Sequence, residues 1–179
     1  WMRTVPNLQV ILPADANQMT VLTRALAESA EPAYVRMGRG AVPDVYGENP
    51  AFEIGKANRL RSGKGCAIIA CGEMVYPALL AAEALGVAMY DMHTIKPLDV
   101  EAVTAAINDI GKVITVEDHN IINGLGSAVC EVAAEMGKGL VKRVGIRDQF
   151  GQSAPYERLL AMNGVTVEDI VAIAESMNA

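Results

Sequence analysis

Between Lys112 and Val129 the chain runs from a β-branched apolar stretch, Val113-Ile114-Thr115-Val116, through Glu117-Asp118-His119-Asn120, to a glycine pair, Gly124 and Gly126. The apolar stretch suits a short strand covered on both faces. The glycines let the backbone turn tightly and approach the sheet. Ser127, Ala128, Val129, Val132 and Ala133 then suit a helix leaving that turn and lasting to about Met136. A strand buried on both faces needs helices on both sides, so this feature commits the chain to a layered α/β fold. Ligands of open α/β sheets gather beyond the carboxyl ends of the strands, which makes this turn the first candidate site.

The rest of the chain alternates in the same way. Leu8–Leu12 reads as a strand closed by Pro13, and Asp15 as the N-cap of a helix to about Ser29. Ala33–Met37 reads as a second strand, giving a βαβ unit. One such unit cannot close a core. Residues 38–51, with Gly38, Gly40, Pro43, Gly47 and Pro50, read as a linker. Beyond it, Phe52–Arg61 reads as an edge strand antiparallel to Cys66–Cys71, because the connection between them is too short for a crossover. A helix over 75–85, a strand at 87–91, a loop over Met92–Leu98 and a helix capped by Asp99 follow. After the Lys112–Val129 unit come a strand at 140–146, a short helix from Tyr156 to Met162 and a last helix capped by Thr166. The expected fold is α/β. A partial unit of about two strands precedes a complete domain with a five-stranded, mostly parallel sheet flanked by helices.

With 179 residues, 51% of them hydrophobic and 20% charged, the chain can bury a core. The formal net charge of -6 argues against nucleic acid or a membrane surface as a partner held by bulk charge, while leaving room for a local basic pocket for a phosphorylated metabolite. No apolar run approaches the ~20 residues of a membrane span, and no secretory signal is visible. Cys66, Cys71 and Cys130 fit no zinc spacing and read as free thiols of a cytoplasmic protein.

Few residues in the chain read as chemistry. Glu117, Asp118 and His119 are consecutive, and adjacent strand residues point to opposite faces, so they read as a polar strand end at a surface or interface. Gly124-Leu125-Gly126 fails the dinucleotide fingerprint. Val129 stands where Gly or Ala is needed, and the end of the next strand, near Val144, has no acid. The two histidines, His93 and His119, give no metal-ligand pattern, and no metal site is expected in this chain. No nucleophile elbow is present. Arg147-Asp148 with Phe150-Gly151 reads as a structural loop. Arg39, flanked by Gly38 and Gly40 just past a strand, could present its guanidinium to an anion, or could be a solvated loop arginine.

Five stretches together resemble the C-terminal part of transketolases. They are Pro6–Val10 with Pro13–Asn17; Arg36-Met37-Gly38-Arg39; Asp91–Asp99; Val116–His119 with Gly124–Val129; and Gly145–Gly151. The similarity is strongest to the separate C-terminal subunit of two-chain transketolases. It extends more distantly to deoxyxylulose-phosphate synthase and to the β subunits of 2-oxoacid dehydrogenases. The resemblance implies that residues 1–51 are the end of a pyrimidine-binding domain plus linker, and that 52–179 are a transketolase C-terminal domain. It implies transfer of a two-carbon ketol unit between sugar phosphates, with thiamine diphosphate and a divalent metal (Mg) in the full enzyme. The diphosphate and metal ligands would lie on an N-terminal partner subunit, and the assembly would be an oligomer of that heterodimer. The family's activating glutamate and cofactor-stacking aromatics lie upstream of the part matching Pro6. The chain is therefore expected to correspond to a truncated piece with no catalytic residue, which alone binds no cofactor and is inactive. One family position carries over. An arginine seven residues after a proline binds the substrate phosphate, and from Pro32 that count reaches Arg39. The alternatives are another thiamine enzyme of this architecture, or a non-catalytic assembly or regulatory domain.

Overall fold

A computed structural model provides the structure, which describes residues 1–178. The first unit contains β1 (Gln9–Ile11), α1 (Ala16–Glu28) and β2 (Ala33–Val35), with β1 and β2 parallel. The Asp15 side chain accepts the Gln18 N–H, as expected of an N-cap.

The second unit contains β3 (Asn58–Arg61), β4 (Ala67–Ala70), α2 (Val75–Leu85), β5 (Ala88–Asp91), β6 (Thr94–Lys96), α3 (Val100–Asp109), β7 (Lys112–Asn120), α4 (Leu125–Met136), β8 (Leu140–Ile146), α5 (Tyr156–Met162) and α6 (Val167–Asn178). A five-stranded sheet has the order β3-β5-β4-β7-β8, with all neighbours parallel except the β3–β5 pair.

The central strands explain the apolar runs. Ala67 and Ile69 of β4 face one core with Val113, Val103, Ile107, Leu125 and Val129, the side of α3 and α4. Ile68 and Ala70 face the other core with Ile114, Val116, Val75, Ala78 and Ile170, the side of α2 and α6. A strand covered on both faces has no polar position to alternate with, so its sequence is continuously hydrophobic.

Two expectations need correction. The edge strand begins at Asn58 rather than Phe52, and its antiparallel partner is β5, not the sequence-adjacent β4. A short connection forbids a parallel crossover, but it does not require the two strands to pair. The Gly63 turn packs instead over the end of α2, where a Cβ would lie 2.2 Å from the Val87 carbonyl carbon. The second correction concerns Met92–Leu98, expected as a loop. It contains β6, which pairs antiparallel with β1, so the first unit's sheet is three-stranded with the order β2-β1-β6. The second unit thereby completes part of the first unit's sheet, and Val10 and Leu12 join the α3/α4-side core.

Candidate functional site

The carboxyl ends of β1, β2, β4 and β7 meet where the two units join. Just past β2, the Arg36 backbone N–H donates to Ile11 O at 3.0 Å. Its guanidinium makes a two-pronged contact with Asp118, Nη1 to Oδ1 at 2.6 Å and Nη2 to Oδ2 at 2.9 Å. The Asp118 side chain is 4% exposed. Burial works against its charge, but His119 and Arg36 outweigh burial and hold its pKa down at about 2.

Three residues further on, Arg39 is exposed. Among the described residues it has no hydrogen-bond or ion-pair partner. Its neighbours Gly38 and Gly40 line a pocket of about 280 Å³ with Pro13, Ala14, Asp15 and Glu73. The Glu73 carboxylate lies over Gly38 in the space a Cβ would need, with Oε1 1.0 Å from that position. The pocket thus sits at the start of α1 and between the two units, as ligand sites of α/β sheets do.

The other candidate, the turn from β7 into α4, has no vacancy for an anion. The Glu117 carboxylate is fully buried and accepts the N–H groups of Leu125 and Gly126, each at 2.8 Å. Its Oε2 also lies 2.7 Å from His119 Nε2. A helix N-terminus attracts negative charge, and here the protein supplies that charge itself. Gly124 is required by this contact, since a Cβ there would fall 2.0 Å from Glu117 Oε2. Burial disfavours the His119 imidazolium, but Asp118 and Glu117 overcome that and lift its pKa to about 9. The Nδ1 atom is 3.7 Å from Asp118 Oδ1, an electrostatic contact rather than a hydrogen bond.

Glu117, Asp118 and His119 therefore do form a constellation, contrary to the reading of them as an ordinary strand end. Residues two apart on a strand share a face, which brings Glu117 and His119 together. A register irregularity also lies here: β7 runs from Val116 to Asn120 while β8 advances only from Val144 to Ile146. Bulges of this kind redirect side chains.

A third polar cluster ties the linker down. Asp15 Oδ2 accepts the N–H groups of Val45 and Tyr46, each at 2.8 Å. The Tyr46 hydroxyl and Gln18 Nε2 both donate to Asp91 Oδ2, at 2.6 and 2.7 Å. Asp91 is fully buried at the end of β5, and burial raises its pKa to about 7 against the pull of these two donors. His93 is also fully buried, stacked on Phe52 at 4.4 Å, and burial lowers its pKa to about 4. Cys66 and Cys71 are buried and Cys130 partly so, all three as free thiols. Arg147 donates to Arg143 O rather than pairing with Asp148, and Phe150 projects into solvent. Among the described residues no three His, Cys, Asp or Glu side chains converge as metal ligands, and no helix is long and apolar enough to cross a membrane.

Residues 55–170 match the family model described as transketolase, C-terminal domain. The chain belongs to this family. It is 41% identical to an apulose-4-phosphate transketolase subunit of Phocaeicola vulgatus, over 97% of this chain and 57% of the relative. It is 38% identical to the 1-deoxy-D-xylulose-5-phosphate synthase of Polaromonas sp., over 96% of this chain and 28% of the relative. A solved structure titled "Split gene transketolase, inactive beta4 tetramer" superimposes with a TM-score of 0.95 at 40% identity, covering 99% of this chain and 60% of that one. The transketolase C-terminal fold that the resemblance implies is thus the observed one. The chain spans a little over half the length of the Phocaeicola relative, at 57%.

Proposed function

We propose that this chain works as part of a two-chain transketolase, moving a two-carbon ketol unit between sugar phosphates, with Arg39 holding the substrate phosphate. On this reading residues 1–51 close a pyrimidine-binding domain and 52–179 form the C-terminal domain. The observation that carries it is the contrast within one loop. Arg36 is neutralised by Asp118, whereas Arg39 has no internal counter-charge and stands between two glycines that line a pocket at a strand end. A planar guanidinium matches phosphate in two parallel hydrogen bonds, and lysine would not be equivalent.

Thiamine diphosphate and its Mg would be held by an N-terminal partner subunit and by segments outside the described residues, in a cytoplasmic oligomer of the heterodimer. The contribution of this chain is then to orient the phosphorylated end of the sugar and to pack the assembly. Alone it would turn over no substrate.

In the assembled enzyme, Arg39→Ala should raise KM for phosphorylated sugars and leave unphosphorylated ones nearly unchanged. Losing a charge-assisted phosphate contact costs about 1.5–3 kcal/mol, or roughly 10- to 150-fold. Equal losses on both substrate classes would reject the assignment. The similarity to a deoxyxylulose-phosphate synthase supports a second reading, another thiamine enzyme of this architecture. Ketol transfer assayed against 2-oxoacid decarboxylation in the reconstituted complex separates the two.

A further inference from the structure

The loop that carries Arg39 is bare of internal bonds. Among the described residues, 37–44 make no hydrogen bond. The last bond before them is Arg36 N–H to Ile11 O at 3.0 Å, and the first after them is Val45 N–H to Asp15 Oδ2 at 2.8 Å. Two of these residues are glycines, and nothing lies within 4 Å of where a Cβ would stand at Gly40. Such a segment takes its path from its two ends. One end is gripped within the first unit, by Asp15. The other is gripped across the junction, by Asp118 through Arg36.

We propose that Asp118 is a positioning residue for phosphate binding, acting through the Arg36 fork on the loop that presents Arg39. This rests on the reading of Arg39 given above. A two-pronged guanidinium–carboxylate contact fixes orientation as well as distance. Asp118 lies on β7, and Glu73, which covers Gly38, follows β4. Both acids belong to the five-stranded unit, and both bear on Arg36. They hold the end of β2 against the carboxyl ends of β4 and β7. Asp118 thereby sets where Arg39 stands relative to the second unit, without touching substrate itself. Losing the fork releases the loop, and a misplaced guanidinium binds phosphate weakly. A bridge that served stability alone would lower the melting temperature and affect all substrates alike.

The test is steady-state kinetics on the complete assembled enzyme, with phosphorylated and unphosphorylated sugars. Asp118→Asn should raise KM for the phosphorylated substrate about tenfold, with kcat and the unphosphorylated KM within about twofold. In an Arg39→Ala background, Asp118→Asn should change nothing further, because the two act on one contact. Equal changes for both substrates, or effects that multiply in the double variant, would overturn the proposal. Arg36→Lys keeps the charge but loses the fork, and supplies the same readout should Asp118→Asn fail to assemble. It should show the same selectivity with a smaller rise in KM, and a uniform effect on both substrates would count against the proposal. If Arg39→Ala itself alters both substrate classes equally, the phosphate role of Arg39 fails. If Arg39→Ala is selective but Asp118→Asn is not, only the positioning role of Asp118 fails.

Discussion

At the turn from β7 into α4, two backbone N–H groups and an imidazolium converge on an anion, and the anion is the protein's own Glu117. Past β2, Arg39 is exposed between two glycines that line a pocket, and among the described residues its guanidinium has no anionic partner. Both places have what anion sites are made of: a strand end, glycines and positive charge. They differ in whether the counter-charge is internal. A site that supplies its own counter-charge contributes to folding, and one that does not is available to a ligand. The glycine pair of the β7–α4 turn is therefore structural. It lets the helix start settle onto a buried carboxylate, with Gly124 giving up a side chain that would displace Glu117.

The sharpest way to break this contrast is to exchange the two roles by mutation. Glu117→Ala should cost about 3–5 kcal/mol in urea unfolding, because it strands two N–H groups at the helix start and takes the nearer carboxylate from a half-buried imidazolium. Arg39→Ala should change stability by no more than about 0.5 kcal/mol, as for an exposed residue with no partner. Comparable losses from the two substitutions would mean that Arg39 too serves the fold.

A pH titration probes the same difference more gently. The folded pKa of His119 is raised from 6.5 to about 9, so its contribution is fully present below about pH 6.5 and is lost as pH rises through about 9. At about 1.4 kcal/mol per pKa unit, the loss reaches up to about 3 kcal/mol. Unfolding midpoints followed from pH 6 to 10 should fall across that window, and His119→Gln should flatten the fall. An unchanged slope in the variant would place the titration elsewhere.

These differences bear on how much of the molecule its sequence reveals. The apolar runs of β4 and β7 and the caps at Asp15 and Asp99 mark the layers plainly, because burial on two faces leaves no choice of residue type. Pairing is less visible: β3 neighbours β5, and β6 crosses to the first sheet, through contacts distant in sequence. The Glu117–His119 contact is legible in their spacing of two, since period-2 geometry holds within a polar run as it does within an apolar one. The Arg36–Asp118 fork is not, since the partners are 82 residues apart and nothing near Arg36 in sequence points to Asp118. Arg39 itself is visible both from its flanking glycines and from the family pattern, because an unpaired cation needs no distant partner to be noticed.

The smallest effect is expected behind the other anchor of the Arg39 loop, where Tyr46, whose N–H is gripped by Asp15, donates its hydroxyl to Asp91 together with Gln18. Burial raises the Asp91 pKa from 3.8 to about 7, so stability from this group is full below about pH 3.8 and is lost as pH rises through about 7. Above pH 7 the carboxylate is buried with donors on Oδ2 alone, while Oδ1 has no partner. Asp91→Asn keeps an oxygen for Tyr46 and Gln18 and removes the ionisation, but it places an amide N–H₂ where Oδ1 stood, and an unpaired donor there costs about 1–3 kcal/mol. Relief from ionisation and the orphaned donor oppose each other. At about 1.4 kcal/mol per pKa unit the relief is about 4 kcal/mol, so the net change at neutral pH should be a gain of about 1–3 kcal/mol, while the slope of stability against pH between 4 and 7 should flatten relative to the parent. A slope that survives the substitution would show that Asp91 does not titrate in this window, and that the Tyr46 hydroxyl behind the loop's second anchor is held by a permanently charged carboxylate, as Arg36 is by Asp118.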